Sequence, residues 1–251
     1  MFLLHSLPAL LMLPTLLWAD GPADLRARLQ GFKGPSSVQA SLSQTFRQET
    51  TAAFRQPSIR QGMLQLHVLE DGSGLHVDWP APAAGASNRE KPLLEPVPAT
   101  LAPDGNDLAA LDAATLRSLL DQADLLSQTL AGSRFLEEHS DTYLGQPARV
   151  LVFSFRARIR PEHQGRVSQS ESSLKVWIRA DGLPMATEST TDYEGRHSRL
   201  YGPFHSRSRV KTTYAVQGQR LVVTSRDAED LVYDGGEKVK RRQSITLAVT
   251  G

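Results

Sequence analysis

Seven histidines and a scatter of carboxylates are the side chains through which this chain could do chemistry. His67 and His76 fall in two alternating runs separated by a short turn, and Asp78 follows. Two imidazoles and a carboxylate are part of a metal-ligand set, but closed zinc sites take three or four donors and a supporting layer of hydrogen bonds. The alternation also sets Gln65 and His67 opposite Leu64 and Leu66, which is the plain pattern of a polar strand face. Glu137, Glu138, His139 and Asp141 read as a surface cluster. Ser73 stands between two glycines, without the strand–turn–helix context of a nucleophile elbow. The chain contains no P-loop, G-x-G-x-x-G, H-E-x-x-H or G-x-S-x-G motif. With Trp18 in the leader, only Trp79 and Trp177 remain as sugar platforms, which weakens a glycosidase reading. Zero cysteine excludes disulfides, thiolate ligands, Cys nucleophiles and lipidation through Cys. No catalytic residue, metal site or cofactor is therefore assigned. A secreted hydrolase with an unrecognised site ranks last.

What polar signal remains is charge. Lys238, Lys240, Arg241 and Arg242 form a basic run of the kind that can contact nucleic acid. An exported protein rarely meets nucleic acid, so none is expected as a partner. Alternation places Lys238, Lys240 and Arg242 on the face opposite Val239 and Ile245, a solvated strand face. Peripheral contact with anionic headgroups is the minority alternative. The near-neutral total hides a split. Residues 20–144 carry 10 Lys and Arg against 16 Asp and Glu, whereas 145–251 carry 18 against 11. Such asymmetry can mark a docking surface for an envelope protein.

The elements that must position these residues are mostly strands. Residues 1–19 are apolar with no Lys, Arg, Asp or Glu, and read as a secretory signal cleaved after Ala19. A membrane anchor is the alternative, but Pro8 and Pro14 would interrupt its helix. A short helix over 23–30 precedes a strand through Val38, Ala40 and Leu42 toward Phe46. Runs 60–69 and 75–79 around a Gly-containing turn read as a hairpin. Residues 80–106 hold six of the fifteen prolines and read as a long loop. Leucines at three- and four-residue steps predict one helix over 107–131, capped at Asn106 or Asp107, with Asp112 as a second start. From 142 onward alternating runs at 149–160, 173–179, 185–193, 204–216, 219–226 and 238–249 read as an antiparallel meander. Helix-length spacers between strands are missing there, so parallel βαβ folds are excluded. The fold class is mainly β (α+β): a large unclosed antiparallel barrel-like sheet wrapped around a leucine-rich helix. Residues 20–251 are read as one domain.

Several short motifs carry a resemblance: Gly62-Met63-Leu64-Gln65-Leu66, Val77-Asp78-Trp79-Pro80, and Leu174-Lys175-Val176-Trp177-Ile178 leading to Gly182-Leu183-Pro184. In these, and in element order, the chain resembles the periplasmic lipoprotein-carrier superfamily of LolA, LolB and RseB types. The resemblance implies an open half-barrel whose concave apolar side is plugged by a helix and holds acyl chains. The strand faces agree independently, because one helix covers only part of so wide a sheet, and an uncovered apolar concavity is a ligand site. The faces assigned to that groove carry Phe46, Leu64, Leu66, Val68, Leu75, Val77 and Trp79 from the early strands. Phe153, Phe155, Leu174, Val176, Val210, Tyr214, Leu221 and Val223 come from the late ones. For any one of them, ordinary core membership is the competing role. The resulting expectation is an exported, periplasmic, non-enzymatic carrier of lipid or of a lipoprotein's acyl chains. A protein-interaction or sensor module of the same fold is the alternative.

Overall fold

The computed structural model describes residues 20–32, 36–53, 55–78, 111–198 and 202–250. The apolar stretch 1–19, Trp79, the 80–106 loop and the expected helix start at 107–110 lie outside the described residues. Ten strands form one antiparallel sheet: β1 (Val38–Ala52), β2 (Arg55–Asp71), β3 (Gly74–Asp78), β4 (Arg134–Tyr143), β5 (Gln146–Ser154), β6 (Val167–Ile178), β7 (Pro184–Ser198), β8 (Gly202–Gln217), β9 (Arg220–Asp234) and β10 (Glu237–Val249). Their order is β3-β2-β1-β10-β9-β8-β7-β6-β5-β4. Sheet neighbours are consecutive in sequence everywhere except at β1–β10, which joins the two halves. β3 and β4 are the edges, and the sheet is not closed. Tight turns join most strands; Gly235 and Gly236, with φ of 56° and 91°, make the β9–β10 turn in a region that favours glycine.

Three short helices lie on one side of the sheet, its inner face. α1 (Gly21–Gln30) starts where Asp20 accepts a hydrogen bond from the Ala23 amide and Pro22 occupies the first turn. Leu25 and Leu29, four apart, are its buried side. The expected single leucine helix is two: α2 (Ala113–Leu120) and α3 (Ala123–Ala131). Asp112 caps α2 by accepting from the Thr115 amide at 2.6 Å, the second start foreseen in the sequence. Asp121 then leaves the helix with extended backbone (φ −150°, ψ 101°). Its carboxylate accepts from the Ala123 amide, and the Gln122 amide donates to Leu221 of β9 at 2.8 Å. Leucine periodicity is blind to this break, because both helices present leucines to the same curved floor.

The break creates two cores. Leu116, Leu119 and Leu120 of α2 pack on Val38, Ala40, Leu42, Leu66, Val68, Ile245 and Leu247. Leu25 and Leu29 of α1, with Leu126 and Leu130 of α3, pack on Leu151, Phe153, Leu174, Val176 and Ile178. Tyr214 touches both. Fully burying one such side chain stabilises by about 1.5–3 kcal/mol, so these faces set the register. Two strand expectations need correction. The run 149–160 pairs only to Ser154, and Arg156 and Arg158 lie exposed beyond it; Phe155 still packs against the α1/α3 core. Residues 134–143 form an edge strand that alternation does not signal, because almost every side chain on it is exposed.

Candidate functional site

The register aligns inner-face side chains in rows that cross eight strands. One row runs Leu64, Gln44, Ile245, Arg226, Thr212, Thr187, Val176, Leu151. The next, further from α2, runs Gly62, Phe46, Gln243, Ala228, Val210, Ser189, Leu174, Phe153. Both rows are apolar at their ends and small or polar in the middle. The Gly62 position serves this arrangement: a Cβ there would collide with the ring of Phe46, its cross-strand partner.

The residues assigned to a groove from sequence separate by burial. Leu66, Val68, Phe153, Leu174, Val176, Leu221 and Val223 are covered core. Phe46, Leu64, Leu75, Val77, Phe155, Val210 and Tyr214 are half-buried on the inner face. Trp79 lies outside the described residues. Polar groups stand among the half-buried set. Gln44 is fully buried, and its amide has no hydrogen-bond partner among the described residues. Burial pulls the Arg226 guanidinium below its usual range, against the opposing pull of Tyr214 and Asp230. The Tyr214 hydroxyl shares a 2.7 Å hydrogen bond with Thr187, and enclosure of that hydroxyl pushes its pKa up to about 12.

On the opposite, outer face the basic residues stand in a ladder of alternating sign. β7 brings Glu188 and Asp192, β8 Arg207, Arg209 and Lys211, β9 Asp227 and Glu229, and β10 Lys238, Lys240 and Arg242. Arg209 pairs with Glu188 at 2.7 Å, Arg207 with Asp192 at 2.8 Å, and Arg242 with Glu229 at 3.0 Å. Arg241 lies instead on the inner face, donating to Gln48 at 3.0 Å. Three of these basic residues are thus paired within the late strands themselves, although residues 145–251 keep an excess of positive charge. A trough of about 830 Å³ on this face is lined by Arg47, Met63, Arg209, Lys211, Glu229 and Arg242, among others.

The sequence-flagged histidines do not converge. His67 Nδ1 lies 3.0 Å from Ser41 Oγ, and its strand partner is Asp78. His76 Nε2 lies 2.8 Å from Ser73 Oγ, which donates to Asp71 at 2.6 Å. With its proton on Asp71, Ser73 has the wrong polarity for a base-activated nucleophile. Of the 137–141 cluster on β4, Glu138 accepts from Arg149 at 2.6 Å and Asp141 accepts from the Trp177 indole at 2.9 Å.

A cluster the sequence reading missed lies near the ends of β7 and β9. His163, in a 3-10 turn at Pro161–His163, is fully buried and stacks on Phe204 with centroids 4.0 Å apart. Its Nε2 is 3.3 Å from Asp234 Oδ2, and His197 Nε2 is 2.8 Å from Asp234 Oδ1. The three donor atoms lie within 4.8 Å of one another. No spacing in the sequence points to this trio; the pairing of β7, β8 and β9 and the 3-10 turn after β5 unite it.

No protein-family model matches the chain, and no curated protein matches it in sequence. Among solved structures it is similar to a LolA superfamily protein from Nitrosomonas europaea: 11% identity, 92% of this chain and 94% of that one covered, TM-score 0.25. A likeness at that level says nothing about ligand or mechanism. Among the described residues, no helix is long and apolar enough to cross a membrane.

Proposed function

We propose that this chain is an exported, periplasmic binding protein that holds the acyl chains of a lipid or lipoprotein on the inner face of its open sheet. The observation that carries this reading is the mismatch in size, among the described residues, between a ten-stranded sheet and three helices of 8–10 residues, beside which Phe46, Leu64, Leu75, Val77, Phe155, Val210 and Tyr214 stand half-buried. Burying an acyl chain there would contribute about 0.8 kcal/mol per methylene. The reading assigns no covalent step, cofactor or metal to this groove. Residues 1–19 would direct export and be removed, leaving one domain from Asp20 onward. The test is native mass spectrometry of the exported protein, followed by displacement of a fluorescent fatty acid. Co-purified lipid, and probe affinity weakened by Val210→Ser but not by the outer-face variant Arg242→Ser, supports the reading. An apo protein that ignores the probe refutes it.

A second reading, a docking module for an envelope protein, draws on the outer-face trough, where Met63 is 65% exposed beside Arg47, Arg209 and Lys211. The paired charge ladder argues against simple attraction to an acidic partner. Salt-insensitive capture of an envelope protein, lost in Met63→Lys, would favour this module over the carrier.

A further inference from the structure

We propose that His163, His197 and Asp234 form a binding site for a divalent transition-metal ion of the zinc type, separate from the acyl-chain groove. Three elements far apart in sequence deliver one donor each: the 3-10 turn after β5, the end of β7 and the end of β9. Two neutral imidazoles and a carboxylate suit zinc or cobalt, with a fourth position for water. Ligands about 2.0 Å from a tetrahedral ion stand roughly 3.3 Å from one another. His163 Nε2 lies 3.3 Å from Asp234 Oδ2 and His197 Nε2 2.8 Å from Oδ1, and one donor atom from each residue falls within 4.8 Å of the others, so side-chain rotation alone brings the three to one ion.

The surroundings fix the rings. His163 Nδ1 lies 3.3 Å from the Tyr193 hydroxyl, a group that can accept the Nδ1 proton while Nε2 ligates. Phe204 stacks flat on the imidazole, and Gly195 makes room for that ring: a Cβ there would press on Phe204 and on the Arg166 carbonyl. His163 is thus buried with its Nε2 turned to the shared carboxylate.

One group opposes the ion. The Arg166 guanidinium donates to His197 Nδ1 at 3.1 Å. That contact requires Nδ1 to be unprotonated, whereas ligation through Nε2 puts the proton on Nδ1. Without metal the network is self-consistent, each Nε2–H donating to Asp234. Metal binding displaces those two protons from Nε2 and turns Arg166, which is exposed, away from the ring. Arg166 thus sets the affinity from outside the ligand set.

The experiment is a titration of the untagged, chelator-stripped protein with Co²⁺, read by visible absorption, with Zn²⁺ as competitor. One saturable equivalent with the bands of a four- or five-coordinate ion is expected, displaced by Zn²⁺. His197→Ala and Asp234→Asn abolish it. Arg166→Gln, whose amide oxygen can accept from Nδ1–H, tightens it by about ten-fold, the lower end of what a partner of a ligating histidine contributes. Zn²⁺ also raises the Tm of the wild type and not of Asp234→Asn, because it binds only the folded arrangement. The assignment is overturned if the wild type shows no saturable signal, or if the signal survives Asp234→Asn. It is equally overturned if Arg166→Gln binds no more tightly. Because Arg166 is exposed, that last variant folds even where a ligand variant does not.

Discussion

Tyr214 touches both cores, and its enclosed hydroxyl makes a sharp test of how the sheet is packed. Near pH 8 the change Tyr214→Phe removes the 2.7 Å bond to Thr187 and leaves that buried threonine hydroxyl without it. The expected cost is about 1–2 kcal/mol. Raising the pH reverses the balance. Enclosure lifts the phenol from its ordinary 10.0 to about 12 in the folded state. Its contribution to stability is therefore complete below pH 10 and is lost as the pH climbs to 12. At about 1.36 kcal/mol per unit, the wild type loses about 3 kcal/mol relative to Tyr214→Phe across that window, and about 1.4 by pH 11. The two proteins should thus be nearly equal in stability at about pH 11, with the variant ahead above it. Urea unfolding followed by far-UV circular dichroism at about pH 8, 10 and 11 measures the difference. A wild-type advantage that stays constant from pH 8 to 11 would refute an enclosed hydroxyl, and with it the packing of Tyr214 between the two cores.

Other substitutions probe the inner face. Phe153→Ala, at a residue 1% exposed, should cost about 3–5 kcal/mol in denaturant unfolding, whereas half-buried Phe46→Ala should cost clearly less while weakening fatty-acid probe binding. Gly62→Ala drives a methyl into the Phe46 ring and should destabilise by about 1–3 kcal/mol; combined with Phe46→Ala the cost should shrink, as a double-mutant cycle would show. Arg220→Met strips the part-buried Glu70 of its close partner, leaving it the exposed Arg117 at 3.5 Å, and should cost about 3 kcal/mol, the low end for breaking a buried pair; Glu70→Gln in the same chain should restore part of it in thermal unfolding.

The strands were legible where burial is one-sided. Val38, Ala40 and Leu42, or Leu174, Val176 and Ile178, alternate because one face packs in the helix-covered cores and the other is turned away from them. Opposite facing of Val239 and Lys240 followed from the same rule, and the register confirms it. β4 escaped because an exposed edge has no apolar period to read. The α2–α3 break escaped because its cause is Asp121 and a tertiary bond from Gln122 to Leu221, not a proline or glycine. The groove could be listed but not sorted: Leu66 and Leu64 look alike in sequence, and only the position of α2 buries one more than the other. The His163–His197–Asp234 trio was out of reach, since the β7–β8 and β8–β9 pairings bring the ends of β7 and β9 together and the 3-10 turn after β5 adds His163.

The β1–β10 pairing bears on how this sheet can assemble. Every other ladder forms between consecutive strands and can zip locally, as hairpins do in microseconds. β1, however, has β2 on one side and must wait for β10 on the other, with the whole intervening chain between them. Until Leu42 meets Leu247, β1–β3 form a small detached hairpin unit with an unpaired apolar edge, and α2 has half a floor. Closing that long loop is slow relative to the local steps. The protein is therefore most open to aggregation, and most in need of a chaperone, in the interval before its first and last strands find each other.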